Sequence, residues 1–393
     1  KCMRFEKIAM NEDVKTLAKG SAWVGSAIVA SLFLEYVFQY AIAKQSVTEF
    51  GLFGVVYGLH AVLSALTITG LVLNFVKDKA ENSLSHAFST MLSINALFFI
   101  ALVAWSLLTK GLSKYLFWAA PIIVTFPLVM LARAVFQKNK DYKKYAWITL
   151  IEAVAKTVFT LAFFHYGFQA YYALIAFLIA DLLTLAIAFQ WIKEKIVFKP
   201  DFQTLKESWK ATIALTSIMF FLRADVALVI NQAGSTIAGH YNAATMFSRT
   251  LVPALAAISI TAFPFLAENK KKVYKTGLYK TGLIATLAIG IIAAMVFALI
   301  KTPVFELLLP EYTAMQQTAV ILLFGASLLA GVNYVIQSRI ATHLSSKDLI
   351  KLLAADFLLV VATILILPNY PIEVLAFAWS AIAFLLLASL KIK

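Results

Sequence analysis

Residues 47–66, VTEFGLFGVVYGLHAVLSAL, and residues 235–254, STIAGHYNAATMFSRTLVPA, lie side by side without a gap when the second half of the chain is slid onto the first by 188 positions. Gly51 then meets Gly239, and Phe53 meets Tyr241. The same shift sets Glu35 opposite Arg223, two charges at mid-depth in the first apolar run of each half. A shift of 204 aligns later runs, with Glu152 opposite Asp356 and Tyr166-Gly167 opposite Tyr370-Pro371. Apolar runs align easily by chance, so the repeat rests on the glycine, aromatic and charge coincidences. Two related halves that meet near a bilayer midplane can rock to give alternating access.

The composition around these segments is that of a membrane protein. Hydrophobic residues make up 62% of the 393 and charged residues 14%, with a mean hydropathy of +0.85, against about half and about a quarter in soluble domains. A helix needs about 20 largely apolar residues to cross a bilayer core of about 30 Å. Such runs recur from Leu17 to Leu390, too many for a signal peptide or a single anchor. The pattern predicts spans near 17–43, 50–75, 87–108, 113–137, 142–165 and 169–191 in the first half. After the basic stretch KEKIVFKPDFQTLKESWK (193–210), it predicts spans near 209–232, 236–266, 278–300, 312–339, 347–367 and 371–390. The expected architecture is all-α and integral to the membrane: twelve transmembrane helices in two pseudo-symmetric six-helix lobes around a central cavity. A tail over 1–14 precedes the N-terminal lobe, 15–199, and the C-terminal lobe covers 200–393. The single cysteine, Cys2, allows no intrachain disulfide and no thiol metal cluster.

Positive charge predicts the orientation. With both termini in the cytoplasm, 27 of the 34 Lys and Arg residues fall on that side, Arg133 among them at a helix end. Only Lys44, Lys110, Lys114 and Lys301 fall outside, while Lys156, Arg223 and Arg249 lie within spans. The expected location is the cytoplasmic membrane, crossed many times. The net charge of +14 thus reflects topology, with a minor contribution from contact with anionic membrane lipids, and calls for no nucleic-acid partner.

Residues 221–268, FLRADVALVINQAGSTIAGHYNAATMFSRTLVPALAAISITAFPFLAE, carry an Asp-bearing helix, a short turn, a G-x-Y-x-A segment and a later Phe-Pro. At Asp225, Gly239, Tyr241, Ala243, Phe263 and Pro264 the stretch resembles the polysaccharide-transporter branch of the multidrug/oligosaccharidyl-lipid/polysaccharide exporter superfamily. EFGLFG (49–54) and the turn ARAVFQKNKDYKKYA (132–146) are similar to that branch too, and the resemblance runs from about residue 15 to the end. It implies a V-shaped bundle that exports lipid-linked oligosaccharides, with twelve helices at the short end of the family's range.

Ionisable residues at mid-bilayer are costly, roughly 2.5 to 3.5 kcal/mol each on insertion scales, so each should face protein or water and find a partner. Glu35, Glu152, Lys156, Asp181, Arg223, Asp225, Arg249 and Asp356 stand in that position. Arg223 and Arg249 are expected to attract the pyrophosphate of a lipid carrier, because a guanidinium fork matches phosphate oxygens. The competing expectations are a Glu35–Arg223 pair that closes a gate, and Arg249 set against an acid of its own lobe. Pro253 lacks the N–H that Arg249's carbonyl would accept, which predicts a kink there. His60, equivalent to Ser248 in the repeat, completes the candidate substrate set of Arg223, Arg249, Glu35 and His60, against packing as its ordinary role.

Glu152 and Lys156 are spaced i to i+4 and are expected to form a structural pair along one helix face. Asp356 has Val360 where that lysine would stand, leaving Asp225 as its plausible neighbour. Two acids without a base must share a proton or hold a cation, which predicts an ion-coupling site in the second half. The resemblance implies the same: lipid II flippases of the superfamily bind sodium through acids on helices seven and eleven and a hydroxyl on helix twelve. Asp225, Asp356 and Ser380 match those positions, but Leu352 stands where an amide is found, so sodium and a proton both stay open. Asp181 has no evident role, and His165 and His343 lie near loops.

The leading function is therefore a flippase that moves polyprenyl-linked oligosaccharide by alternating access, coupled to H+ or Na+ and using no bound cofactor and no resident metal. A cation-coupled exporter of drugs or metabolites on the same fold is the first alternative. A non-transporting scaffold that recruits glycan-synthesis proteins through basic loops such as KVYKTGLYK (272–280) is the second. An enzyme is not expected: the longest outer segment, around KTPVFELLLPEY (301–312), is too short to carry a catalytic domain. Without the P-loop pattern, ATP hydrolysis is not expected either.

Overall fold

The computed structural model describes residues 2–77, 83–109, 111–268, 278–342 and 344–390. The basic residues Lys79, Lys270, Lys271, Lys272 and Lys275, with His343, lie outside the described residues. The first half consists of α1 (Cys2–Ala43), α2 (Val47–Lys77), α3 (Ser83–Leu108), α4 (Ser113–Lys138), α5 (Tyr142–His165) and α6 (Tyr172–Trp191). The second consists of α7 (Phe202–Arg223), α8 (Asp225–Glu268), α9 (Leu278–Leu308), α10 (Gln316–Thr342), α11 (Ser346–Ile366) and α12 (Ile372–Ser389), with a short 3-10 turn, Pro310–Met315, before α10. Helix α1 is continuous from Cys2, so the expected tail is helical in its described residues.

Among the described residues, eleven stretches are long and apolar enough to cross a membrane, and one of them, Lys206–Phe263, has 58 residues. At 1.5 Å per residue that is far longer than a bilayer core and must fold back on itself. Gly234, at φ 84° and ψ 171°, supplies the reversal, a conformation that glycine adopts without a Cβ penalty. Neighbours along α2 record the turn. Gly70 abuts Ser208 and Thr212 and Gly58 abuts Arg223, so α7 runs antiparallel to α2. Gly51 abuts Ser235 and Gly239 and Gly54 abuts Asn242, so the chain after Gly234 runs parallel to it. The long stretch is thus two crossings, which brings the number to twelve. Helix α8 stays helical past Pro253, and its one non-helical residue is Gly234.

The exterior is apolar and the interior holds polar groups. Leu108 and Leu299 are 83% and 84% exposed, whereas Thr67, Asn95, Thr160, Asp181 and Thr184 are fully buried. That inversion is stable where lipid is the solvent, and the protein is a multi-pass membrane protein.

The repeat is visible as a two-fold relation. A Cβ on Gly51 would strike the carbonyl oxygen of Ser235, and a Cβ on Gly239 would strike that of Val47, so contacts 188 residues apart exchange places. Thr48 and Thr236, also 188 apart, face each other with hydroxyls 3.4 Å apart. Small residues let α2 and α8 approach this closely. Asn242 Nδ2 donates to Phe50 O at 3.1 Å and Tyr312 OH donates to Ala43 O at 3.0 Å, which closes this end of the bundle. Toward the other end the lobes part around a cavity. In the later helices the spacing shrinks from 204 at the starts of α5 and α11, Tyr142 and Ser346, to 200 at the starts of α6 and α12, Tyr172 and Ile372.

Candidate functional site

The embedded charges resolve into pairs that differ from those expected. Glu152 and Lys156 share the inward face of α5, but each reaches to another helix: Lys156 pairs with Glu35 on α1, and Glu152 with Arg133 on α4. The i to i+4 spacing put both on one face, and that face looks into the lobe, where better-placed partners stand. The expected pairing of Glu152 with Lys156 is therefore corrected. Glu35 also accepts from Gln39 Nε2 at 2.8 Å and from Tyr57 OH at 2.9 Å, and Lys156 Nζ lies 4.7 Å from the Phe38 ring and 4.8 Å from the Phe177 ring. Glu35 is thus fully engaged inside the N-terminal lobe.

Arg249 is 2% exposed. It pairs with Asp225 at 2.6 Å and donates to Asn242 Oδ1 at 2.7 Å and to Leu222 O at 3.3 Å. Asp225 follows the break at Ala224 and accepts the N–H of Val226 at 2.9 Å, at the start of α8. Arg249 therefore neutralises an acid of its own lobe and does not face a substrate, which removes it from the substrate set. His60 leaves the set too: it is 4% exposed, near Ser64 Oγ at 3.3 Å and stacked among Tyr57, Phe126 and Phe177.

Asp225 consequently has a base, and it does not form an acid pair with Asp356. Asp356 accepts from Ser217 on α7, and its Oδ1 is buried without a hydrogen-bond partner among the described residues. Ser380 donates to Ile321 O at 2.9 Å and to Ala376 O at 3.0 Å. Asp225 and Ser380 do line one small cavity of about 30 Å³ together with Ser248 and Trp379, space for a water or two, but Asp356 does not line it. The three expected ion-coupling residues are therefore split between two sites. Asp181 is fully buried, accepts from Thr125 at 2.7 Å, and keeps Oδ1 unpartnered.

Arg223 is the exception among the embedded bases. No ion pair with Glu35 forms; Tyr57 stands between them, its ring 5.3 Å from the Arg223 guanidinium carbon and its hydroxyl on Glu35. Nε and Nη1 of Arg223 are buried and lack hydrogen-bond partners among the described residues.

Between the lobes lies a cavity of about 300 Å³, walled by α1, α2, α4, α5, α7, α8 and α10. Its wall is mainly apolar, with the amides of Gln137, Asn333 and Gln337 at intervals, and Arg133 is the one charged residue among the described residues lining it. Arg133 pairs with Glu152, places Nη1 3.3 Å from Met130 Sδ, and has Nε without a partner. Gln137 Nε2 donates to Ile260 O at 2.9 Å across the lobes. Neither Arg223 nor Arg249 lines this cavity. Sequence reading set Arg133 aside as a helix-end charge, although it falls within the apolar run 113–137 and five residues before Lys138. A second groove, about 350 Å³, opens on the outside between α1 and α8 to α10. Leu32 borders both spaces, so α1 is the partition between them.

Two six-helix lobes, locked together at one end and parted by a cavity toward the other, are the fold of membrane transporters of the MOP superfamily. The lipid II flippase MurJ in its inward closed conformation superposes with a TM-score of 0.71 at 15% identity, over 95% of this chain and 86% of that one. An outward-facing multidrug resistance MATE family transporter of the MOP superfamily gives 0.67 at 12%, over 96% and 97%. A MOP superfamily transporter from Pyrococcus furiosus, described with a binding pocket of reverse polarity, gives 0.63 at 12%, over 96% and 93%. No curated protein sequence matches. The family described as polysaccharide biosynthesis protein matches residues 17–270, and the chain belongs to that family.

Proposed function

We propose that the protein flips a polyprenyl-linked oligosaccharide across the cytoplasmic membrane by alternating access of its lobes. The observation that carries this reading is the inter-lobe cavity, mainly apolar but with amides, hydroxyls and one guanidinium, Arg133, in a member of the polysaccharide biosynthesis family. A guanidinium suits the phosphate of a lipid carrier, and amides that both donate and accept suit sugar hydroxyls. With the basic loops read as cytoplasmic, the charged head enters the cavity from that side while the tail stays in lipid along the groove beside α1. Rocking of the lobes then opens the Gly51–Gly239 end and releases the head outside.

Arg133 is paired with Glu152, but it lines the cavity while that acid does not, and its Nε has no partner among the described residues; such a donor favours an anionic head over a cationic drug, which argues for this reading over export of drugs or metabolites. For coupling to H+ or Na+, Asp356 is the stronger candidate, since Asp225 is already neutralised by Arg249. The test is flipping of a fluorescent polyprenyl diphosphate sugar in proteoliposomes. Arg133→Gln/Glu152→Gln, which removes the guanidinium without stranding its buried partner, is expected to reduce the rate at least tenfold while membrane insertion is unchanged; a wild-type rate in that variant would rule out the cavity as the head-group site.

A further inference from the structure

Residues 192–201 join the two lobes, and α3 holds this linker through its main chain. Ser85 donates to Lys195 O at 3.5 Å and accepts from the N–H of Val197 at 3.1 Å. Ser89 donates to Val197 O at 3.3 Å and accepts from the N–H of Lys199 at 2.7 Å. Thr90 donates to Asp201 O at 3.2 Å and accepts from Asp201's own N–H at 2.9 Å, and His86 Nδ1 lies 3.1 Å from Lys199 O. Only odd-numbered positions are bonded, the alternation of an extended chain, which turns the peptide groups of Ile196 and Phe198 away from α3. Those groups have no hydrogen-bond partner among the described residues.

The outward side of this strap has a distinct chemistry. Lys193, Lys195 and Lys199 are exposed, with Glu194 the one acid among them. Between them Val197 and Phe198 are 63% and 62% exposed. The strap connects two membrane-spanning helices, α6 and α7, so it lies where acyl chains give way to head groups. Large apolar side chains flanked by lysines suit that boundary, with the rings and branches in the acyl region and the ammonium groups among phosphates.

We propose that the strap is a docking site for an anionic phospholipid. Lys193, Lys195 and Lys199, with the free amides of Ile196 and Phe198, take the phosphate, and Phe198, on the face of the extended chain opposite Lys195 and Lys199, enters the acyl layer. A soluble phosphate ester would leave that ring in water, so the occupant is a lipid. Because the strap is the covalent link between the lobes, the bound lipid fixes that link at the membrane surface, whatever cargo the cavity carries.

The test is native mass spectrometry of the full chain released from nanodiscs of mixed phosphatidylcholine and phosphatidylglycerol. Each lysine near an anionic surface is worth about fivefold in affinity, so Lys193→Gln/Lys195→Gln/Lys199→Gln is expected to lower phosphatidylglycerol retention at least tenfold. Phe198→Ser, with all lysines kept, is expected to lower it severalfold. A control away from the strap, Lys280→Gln/Lys347→Gln, both exposed, should retain lipid as the wild type does, and glycerol phosphate should not displace it. Wild-type retention in the triple variant, an equal loss in the control, or displacement by glycerol phosphate would overturn the proposal. All these positions are exposed, so melting in phosphatidylcholine alone is expected to stay unchanged.

Discussion

Arg223 rests over the ring of Tyr57, 5.3 Å from ring centre to guanidinium carbon, and the hydroxyl of the same tyrosine donates to Glu35. One aromatic side chain thus joins an unpaired cation of the C-terminal lobe to an acid of the N-terminal lobe. The cation–π contact offsets part of the burial cost, but two of the guanidinium nitrogens still lack partners.

An arginine in that condition contributes little to folding. Arg223→Ala is expected to leave the melting temperature in detergent unchanged or slightly raised. A marked drop in melting temperature would show that Arg223 is a structural residue.

Lys156 should behave in the opposite way. Its side chain and that of Glu35 are 6% and 14% exposed, and removing one partner of such a pair costs about 3 to 5 kcal/mol because the other charge stays buried. Lys156→Met is expected to destabilise strongly, and Lys156→Met/Glu35→Gln to recover most of the loss. Denaturation of the single and double variants reads the difference directly.

For coupling, the expected outcome falls on Asp356. Asp356→Asn keeps a partner for Ser217 but removes the titrating oxygen, so the dependence of flipping on pH or sodium should flatten. Asp225→Asn should instead destabilise, because it strips Arg249 of its counter-ion. Transport measured across imposed pH and sodium gradients, beside a thermal melt, separates the two.

The twelve crossings and the 188-residue repeat were readable because they depend on run length and on glycines. Gly51 and Gly239 are glycines for the same reason on both sides of the axis, so their alignment records a contact. The charge pairing was not readable. Which partner Glu152 or Lys156 takes depends on how α1, α4 and α5 are turned about their axes, and apolar residues surround each of those helices too evenly to fix that angle. Arg133 was misread for a related reason: a charge near a helix end faces either the loops or the bundle, and only packing decides.

Glycine is also where the closed end can be forced. Gly239→Val places a branched side chain against the carbonyl of Val47, and overpacking of this kind costs about 1 to 3 kcal/mol. The variant is expected to hold that end ajar. A thiol introduced as Ala238→Cys, at a position buried while the end is closed, in a chain whose Cys2 is replaced by serine, should then react faster with a membrane-impermeant maleimide than in the Gly239 parent.

Among the described residues no ion pair spans that closed end: it is made of glycines against carbonyls, two threonines, and hydrogen bonds from Asn242 and Tyr312 to main chain. Opening it exposes dipoles and short side chains, and no carboxylate or ammonium has to be rehydrated. The activation barrier on this side therefore has almost no Coulombic component, and its kinetics should be nearly indifferent to ionic strength. Any salt sensitivity in the transport cycle then belongs to the opposite, lysine-rich face.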